Sequence, residues 1–426
     1  MRPPFLTLSR SAVLVLAVAV FLVAPPVLVA QPPPWPLGPE FRVNTYTTGP
    51  QRRPAMAATQ GGFVVAWEGA SQGDPDGVLA QQYNGFGAPI GLEFRVNTYT
   101  TSAQHSPSVA SKRGSNLIFA WQSEGQDGDA GGIVGRRFGT NGLPLGGEFQ
   151  VNSYTTSIQS APSIASDSAG NFLVVWASLG QDGSDYGVFG QRFASSGAPL
   201  GGEFRVNTYT TGFQGHPAAG MDPNGYFIVV WEGEGADDQP FGIFAQRYLN
   251  TGTPLGGEFR VNSYTPGNQR YPSVDNDFGR FVVVWQSDGQ DGSGYGIFAK
   301  KFIFGSGSSY PEFRVNTFTT GAQAHPKVAT TGVLDCAITW ESGDAQDPQG
   351  GIFAMFYYGC SIPSSMEYHV NTQTAGIQNG PAVAIWADFP VIAWTSEQDP
   401  DGSPGVYGQR LEPGWLPVEL QDFTIE

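Results

Sequence analysis

Three of the chain's four histidines, His105, His216 and His325, stand at equivalent places in an internal repeat, one or two residues after a glutamine (Gln104, Gln214 and Gln323). In other copies the same places hold Arg52 and Arg53, or Arg270 and Tyr271 after Gln269. Guanidinium, imidazole and phenol groups gathered at one spot suit an anionic or sugar-like ligand, because cations meet its charge and rings meet its faces. Elsewhere these two places hold small residues, so ordinary variation on a solvent-facing loop is the competing reading. The glutamine recurs in every copy: Gln51, Gln104, Gln159, Gln214, Gln269, Gln323 and Gln378. Such a ring of amides first serves to satisfy backbone groups of its own loop. Contact with a ligand is the second role, at Gln104, Gln214, Gln269 and Gln323. The three histidines come from alternate copies and suggest a zinc site, but no acidic fourth ligand is indicated.

Carboxylates cluster in a second loop, as in Gly125-Gln126-Asp127-Gly128, Gly180-Gln181-Asp182-Gly183 and Gly289-Gln290-Asp291-Gly292. Oxygen-rich loops can hold calcium, yet no EF-hand spacing is present and Asp-Gly is a strong turn former. Solvated turns are therefore the preferred reading, and no cofactor is expected. Catalytic signatures are missing: no Gly-x-Ser-x-Gly, His-Glu-x-x-His or phosphate loop occurs. Carboxylates are too abundant for any pair to be diagnostic of glycoside cleavage.

The elements that must position these groups repeat seven times. Glu40-Phe41-Arg42-Val43-Asn44 returns at Glu93, Glu148, Glu203, Glu258, Glu312 and Glu367, and seven units fill residues 40–411. Each unit reads as four short strands: the Glu-Phe-Arg-Val-Asn segment, a small-residue run such as Pro107-Ser-Val-Ala110, an apolar run such as Phe281-Val-Val-Val-Trp285, and a segment such as Gly187 to Phe193. Turn residues separate them and no 3.6-residue period is sustained. Units of about 55 residues are too small to bury a core alone, so a closed ring is favoured over an open solenoid or separate domains. The expectation is an all-β, seven-bladed β-propeller with four antiparallel strands per blade. The small-residue strand should lie innermost, the Trp strand second, the Gln-Arg-Phe strand third and the Glu-Phe-Arg-Val-Asn strand outermost. The chain starts on an outermost strand and ends on a third strand, so residues 40–44 should complete the last blade. This phase puts the glutamine loops and acidic loops on one face. Trp67, Trp121, Trp176, Trp231, Trp285, Trp340 and Trp394 should be buried between blades, against the alternative of seven sugar-stacking platforms. Arg192, Arg247 and Arg410 are expected to pair across strands with the outer glutamates.

Composition narrows the partners. With 21 basic against 37 acidic residues the net charge is -16, which excludes nucleic acid and anionic membrane surfaces as partners. Arg2 and Arg10 precede an apolar run from Ala12 to Ala24. Residues 1–30 read as a secretory signal peptide, 31–39 as a linker and 412–426 as a C-terminal tail. After removal of the leader no membrane span remains, so a secreted protein is expected, extracellular or on the cell surface. Cys336 and Cys360 are the only cysteines, and either a disulfide or two separate thiols fits that setting.

Val-Asn-Thr-Tyr-Thr-Thr-Gly-x-Gln, Val-Val-Trp, and Gly-Gln-Asp-Gly followed by Gly-Ile-Phe-Gly-Gln-Arg-Phe resemble the tandem repeats of a secreted bacterial β-propeller family of largely unassigned function. The layout is similar to that of propeller lectins. Met355-Phe356 and Gln373 depart from the pattern. Together these readings lead to a non-enzymatic binding or scaffold propeller that presents loops of one face to a glycan or protein. A polysaccharide-active hydrolase or lyase with acids at the channel mouth is the alternative, and a surface or matrix component a third.

Overall fold

The computed structural model describes residues 35–412 except 112, 113, 115, 236–239, 278, 332–334, 344–349 and 400. The leader and most of the tail lie outside the described residues. The chain divides into two compact units, 1–31 and 32–426, and every described residue belongs to the second.

All regular structure in the described residues is β. Seven antiparallel sheets follow one another in chain order, as the repeat requires. Blade three runs Gln159–Ser166, Phe172–Leu179, Tyr186–Phe193 and Phe204–Arg205 from the axis outward. Blade seven is completed by the start of the chain: Phe41 pairs with Gly408 and Arg42 with Tyr407. Pairing begins earlier still, with Trp35 opposite Glu412 and Pro36 opposite Leu411. The wheel is thus closed by non-contiguous strands, and the edge of the last sheet is covered.

The second strands are continuous apolar runs because both of their faces are covered. Along one strand, alternate residues serve the two neighbouring layers. Val174 and Trp176 pack with Ile118 and Ala120 of blade two, whereas Leu173 and Val175 pack with Val229 and Trp231 of blade four. All seven strand-end tryptophans are 0% exposed, so they are core and not sugar platforms. Each contributes about 1.5–3 kcal/mol by burial.

Three sets of contacts lock neighbouring blades. At the rim, each outer glutamate accepts from the residue that follows the asparagine of the blade before. Glu93 Oε2 takes the Thr45 N–H at 2.6 Å, Glu203 takes Ser153 at 2.6 Å, and Glu40 closes the circle on Thr372 at 2.9 Å. The third-strand cations do not pair with these glutamates as the sequence suggested. They reach across to carbonyls of the next blade: Arg137 to Ser195 at 2.7 Å, Arg192 to Asn250 at 2.6 Å, Arg247 to Phe304, and Arg410 to Phe86 at 2.6 Å. Their long side chains find uncapped carbonyls at the neighbouring hairpin, while the glutamates are already used by backbone N–H groups. Blade six has Phe356 at this rank, buried against Trp394 and Leu411 of blade seven. The third set, near the axis, builds the site described below.

Cys336 and Cys360 are both buried and in side-chain contact with one another. Burial, followed by the contact with Cys360, pushes the Cys336 thiol well above its ordinary range. None of the helices sought among the described residues is long and apolar enough to cross a membrane.

Candidate functional site

The seven glutamines open the innermost strands and are at most 1% exposed. Their amides are internal fasteners. In blades one, four and seven the Oε1 atom accepts the Trp indole N–H: Trp67 to Gln51 at 2.8 Å, Trp231 to Gln214 at 3.0 Å and Trp394 to Gln378 at 3.0 Å. In blades two, three, five and six it accepts from the repeat asparagine: Asn97 to Gln104 at 2.8 Å, Asn152 to Gln159 at 3.0 Å, Asn262 to Gln269 at 2.9 Å and Asn316 to Gln323 at 3.1 Å. The same asparagine folds the approaching loop, as when Asn152 Nδ2 donates to the Tyr154 carbonyl at 2.8 Å and its Oδ1 accepts the Ile133 N–H at 2.7 Å. Gln104, Gln214, Gln269 and Gln323 therefore hold the mouth together from beneath.

Two residues beyond each glutamine the innermost strand bulges. In blade five Arg270 faces Gln286, but the next partner of the inner strand is Ser273, opposite Val284. One extra residue is inserted, and the same shift occurs in all seven blades. The inserted residue is left-handed throughout: Arg53 at φ 51, Ser106 at 49, Ala161 at 52, His216 at 45, Tyr271 at 51, His325 at 49 and Gly380 at 61. Six of these are not glycine, and each such residue costs about 1–2 kcal/mol. A bulge re-aims its side chain and frees its N–H from the ladder.

In five blades the freed N–H is taken by the side chain that follows the Trp of the preceding blade. Glu68 Oε2 accepts Ser106 N–H at 2.9 Å, Glu232 Oε2 accepts Tyr271 N–H at 2.6 Å, and Glu341 Oε2 accepts Gly380 N–H at 2.8 Å. Gln286 takes His325 N–H at 3.0 Å and Thr395 takes Arg53 N–H at 3.0 Å. These three glutamates were missed by sequence reasoning. A signal existed, since an acid directly follows the Trp in only three copies (Trp67-Glu68, Trp231-Glu232 and Trp340-Glu341).

Around these buried carboxylates the candidate residues gather in two sectors. In blades four to six, Glu232 has a fully buried side chain and receives Arg270 at 2.7 and 3.0 Å, with His216 Nδ1 3.0 Å from its Oε1. His325 Nδ1 lies 2.5 Å from Glu341 Oε1. Tyr271 sits between the two imidazoles, its ring centroid 4.8 Å from His216 and 4.4 Å from His325. The Arg270 guanidinium lies 5.0 Å over Phe241 and 5.4 Å over Tyr271, and Phe213 extends the row of rings. Burial pushes the Glu232 carboxyl up, but the contacts with His216, Tyr271 N–H and Arg270 outweigh it and hold the group below its ordinary range. Burial likewise raises the Glu341 carboxyl, and His325 with Gly380 N–H brings it below that range. The acids are therefore anionic anchors, and the groups presented outward are imidazole, phenol and guanidinium.

The second sector lies at blades one and two. Arg52 and Arg53 are 3.1 and 3.2 Å from Glu68, and Arg52, Glu68, Asp76, Gln104 and His105 line a shallow depression. His105 is thus apart from His216 and His325, and the three-histidine zinc arrangement does not form. Among the described residues no group of three His, Cys, Asp or Glu side chains is placed to hold a metal ion. The loop aspartates have another use: Asp127 and Asp182 lie 3.4 and 3.1 Å from the side-chain nitrogens of Asn152 and Asn207, and Asp74 2.7 Å from that of Asn97. Beyond the mouth, the axial bore holds a cavity of about 600 Å³ walled by Met56, Val109, Ile164, Met221, Val274 and Val328 among others.

No protein-family model and no curated protein matches the sequence. Solved structures do match in shape. A Dyadobacter fermentans protein of unknown function is 12% identical over 73% of this chain and 94% of its own, with a TM-score of 0.52. The endosialidase of phage phi92 is 9% identical over 92% of this chain and 71% of its own, with a TM-score of 0.50. Polysaccharide lyase Uly1 is 9% identical over 87% and 89%, with a TM-score of 0.49. At such identities the likeness is one of fold alone.

Proposed function

We propose that this chain is a glycan-processing propeller that takes an acidic polysaccharide across the mouth of blades four to six and cleaves it by elimination. The observation that carries this reading is the row His216, Tyr271 and His325 beside Arg270, anchored on Glu232 and Glu341. Hydrolysis by paired carboxyls needs an accessible acid of raised pKa. Glu232 is inaccessible and both glutamates are held low, so that chemistry is disfavoured. Elimination needs different parts. Arg270 offsets the charge of a uronate carboxylate, which acidifies the adjacent C5–H. His325, oriented through Nδ1 by Glu341, takes that proton on its other nitrogen. The C5 electron pair forms the C4–C5 double bond, the C4–O4 bond breaks, and the Tyr271 phenol gives its proton to the leaving oxygen. The endosialidase adds a fold-level precedent for a propeller that works on glycans.

The test is ultraviolet absorbance of unsaturated product from a panel of polyuronates. Turnover should fall at least about 100-fold in His325→Gln and in Tyr271→Phe. Absence of product from every acidic polymer would replace this reading with the second one, a non-catalytic binding propeller. That alternative draws on the separate Arg52 and Arg53 cluster, which gives a long anionic chain two points of attachment. Residues 1–30 complete the proposal as a leader that delivers the propeller outside the cell, to be checked by N-terminal sequencing of the extracellular protein.

A further inference from the structure

We propose that Lys327 is an anion-binding post inside the axial bore, one sugar unit beyond the mouth, that receives the acidic group of a glycan end. The inference rests on the reading of the mouth as a glycan site and extends it inward.

Lys327 stands on the innermost strand of blade six, Gln323–Thr330, two residues past His325. Extended backbone carries it roughly 7 Å deeper. It faces Thr339, the residue before Trp340. At the same rank the other blades have Ala55, Ser108, Ser163, Ala218, Ser273 and Ala382, each opposite the residue before its own Trp. At this rank the other six side chains are small and neutral, while Lys327 is long and exposed, directly before Val328, Ala329 and Thr330 that wall the bore.

The rank has a structural duty that lysine does not perform. Ser108, Ser163 and Ser273 accept edge N–H groups of the next blade, from Ile164 at 3.2 Å, Ala219 at 3.1 Å and Val328 at 3.3 Å. An ammonium is only a donor and caps no N–H. Of the three described lysines, Lys300 donates to the Val261 carbonyl at 3.0 Å and Lys301 to the Gly359 carbonyl at 2.5 Å. Lys327 makes no such bond and no ion pair among the described residues. Asp275, which also lines the bore, has its carboxylate engaged by Thr330 at 2.8 and 3.0 Å. The mouth carboxylates Glu232 and Glu341 are already engaged by Arg270, His216 and His325.

Lys327 is exposed, but the protein that surrounds it partly desolvates the ammonium and pushes it below the usual lysine range. No side chain among the described residues offsets its charge, and alanine suffices at this rank in blades one, four and seven. Such a group is matched by an oxyanion that arrives with the ligand. A carboxylate or a sulfate ester on a sugar supplies the same chemistry.

The experiment is calorimetric titration of the whole protein with galacturonate, with N-acetylglucosamine 6-sulfate and with glucose. At least one acidic sugar should bind while glucose does not, and the one that binds identifies the group. Its affinity should fall at least tenfold in Lys327→Ala and Lys327→Gln and stay within a few-fold in Lys327→Arg. Unchanged affinity in Lys327→Ala, or glucose binding as well as both acidic sugars, overturns the proposal. Folding is controlled by the melting temperature, which Lys327→Ala should keep or raise. The mouth reading fails separately: lack of turnover with Lys327-dependent binding intact removes the chemistry and leaves the post. Turnover that needs Tyr271 but is indifferent to Lys327 removes the post alone.

Discussion

Blade three and the junction of blades four and five share one backbone and differ in almost everything chemical. Both bulge at the same rank, with Ala161 at φ 52 and Tyr271 at φ 51. Both hang on a buried glutamine that accepts from an asparagine. Yet blade three shows Ser160 and Ala161, with Gln122 following the Trp of the blade before, where blade five shows Arg270 and Tyr271 over Glu232. The scaffold thus offers seven equivalent, pre-strained positions around the axis. Chemistry is written on some of them by side chains alone, at no further backbone cost.

The largest expected effect tests whether the scaffold is truly equivalent. Trp176→Ala and Trp231→Ala should each lose about 3–5 kcal/mol in denaturant unfolding, since both empty a fully buried site. A markedly smaller loss in one blade would break the comparison. Next is Glu232→Gln, which removes the charge anchoring Arg270 and His216; it should cost about 1–3 kcal/mol and most of the ligand affinity. Gln122→Ala, at the matching rank before blade three, should leave ligand affinity unchanged.

Acid should separate the two regions as well. Glu232 and Glu341 sit below their ordinary value when folded, so the stability they add is complete above the unfolded value of about 4.3 and is lost as pH falls through the lower folded value. The wild-type unfolding free energy should therefore drop more steeply in acid than that of the Glu232→Gln, Glu341→Gln double variant. Parallel pH curves for the two proteins would show that folding does not lower the titration of the anchors. The smallest effects belong to the bulge itself. Gly380→Ala should cost about 1–2 kcal/mol, that of the left-handed backbone alone, because the added carbon would meet only Thr395 Oγ1 at 3.8 Å. Grafting Ser160→Arg and Ala161→Tyr together with Gln122→Glu should change the melting temperature little and create a second Arg-Tyr mouth.

Much of this was legible from the chain because the repeat makes its own alignment. Strand order, the innermost place of Pro107-Ser-Val-Ala110, closure by Phe41-Arg42 and burial of the seven tryptophans all follow from patterns within one copy or from where the copies start and stop. The candidate residues after each glutamine were also visible as variable places in a regular frame. Their partners were not. The arginines of the third strand were matched with the wrong groups, since their acceptors are carbonyls about one repeat onward, as Arg137 with Ser195 shows.

What the amino-acid order determines by itself is therefore periodic and local: which segments are strands, how many blades there are, and which termini must meet. Hydrophobic alternation, turn residues and repeat length carry that information within a few tens of residues. Tertiary structure alone decided which side chains share a site. Glu232 meets Arg270 and Tyr271 across a blade boundary, and the bulge turns His216, Tyr271 and His325 toward one another. Those contacts depend on the packing angle between sheets and on one inserted residue per strand, and no pattern within a single repeat encodes either.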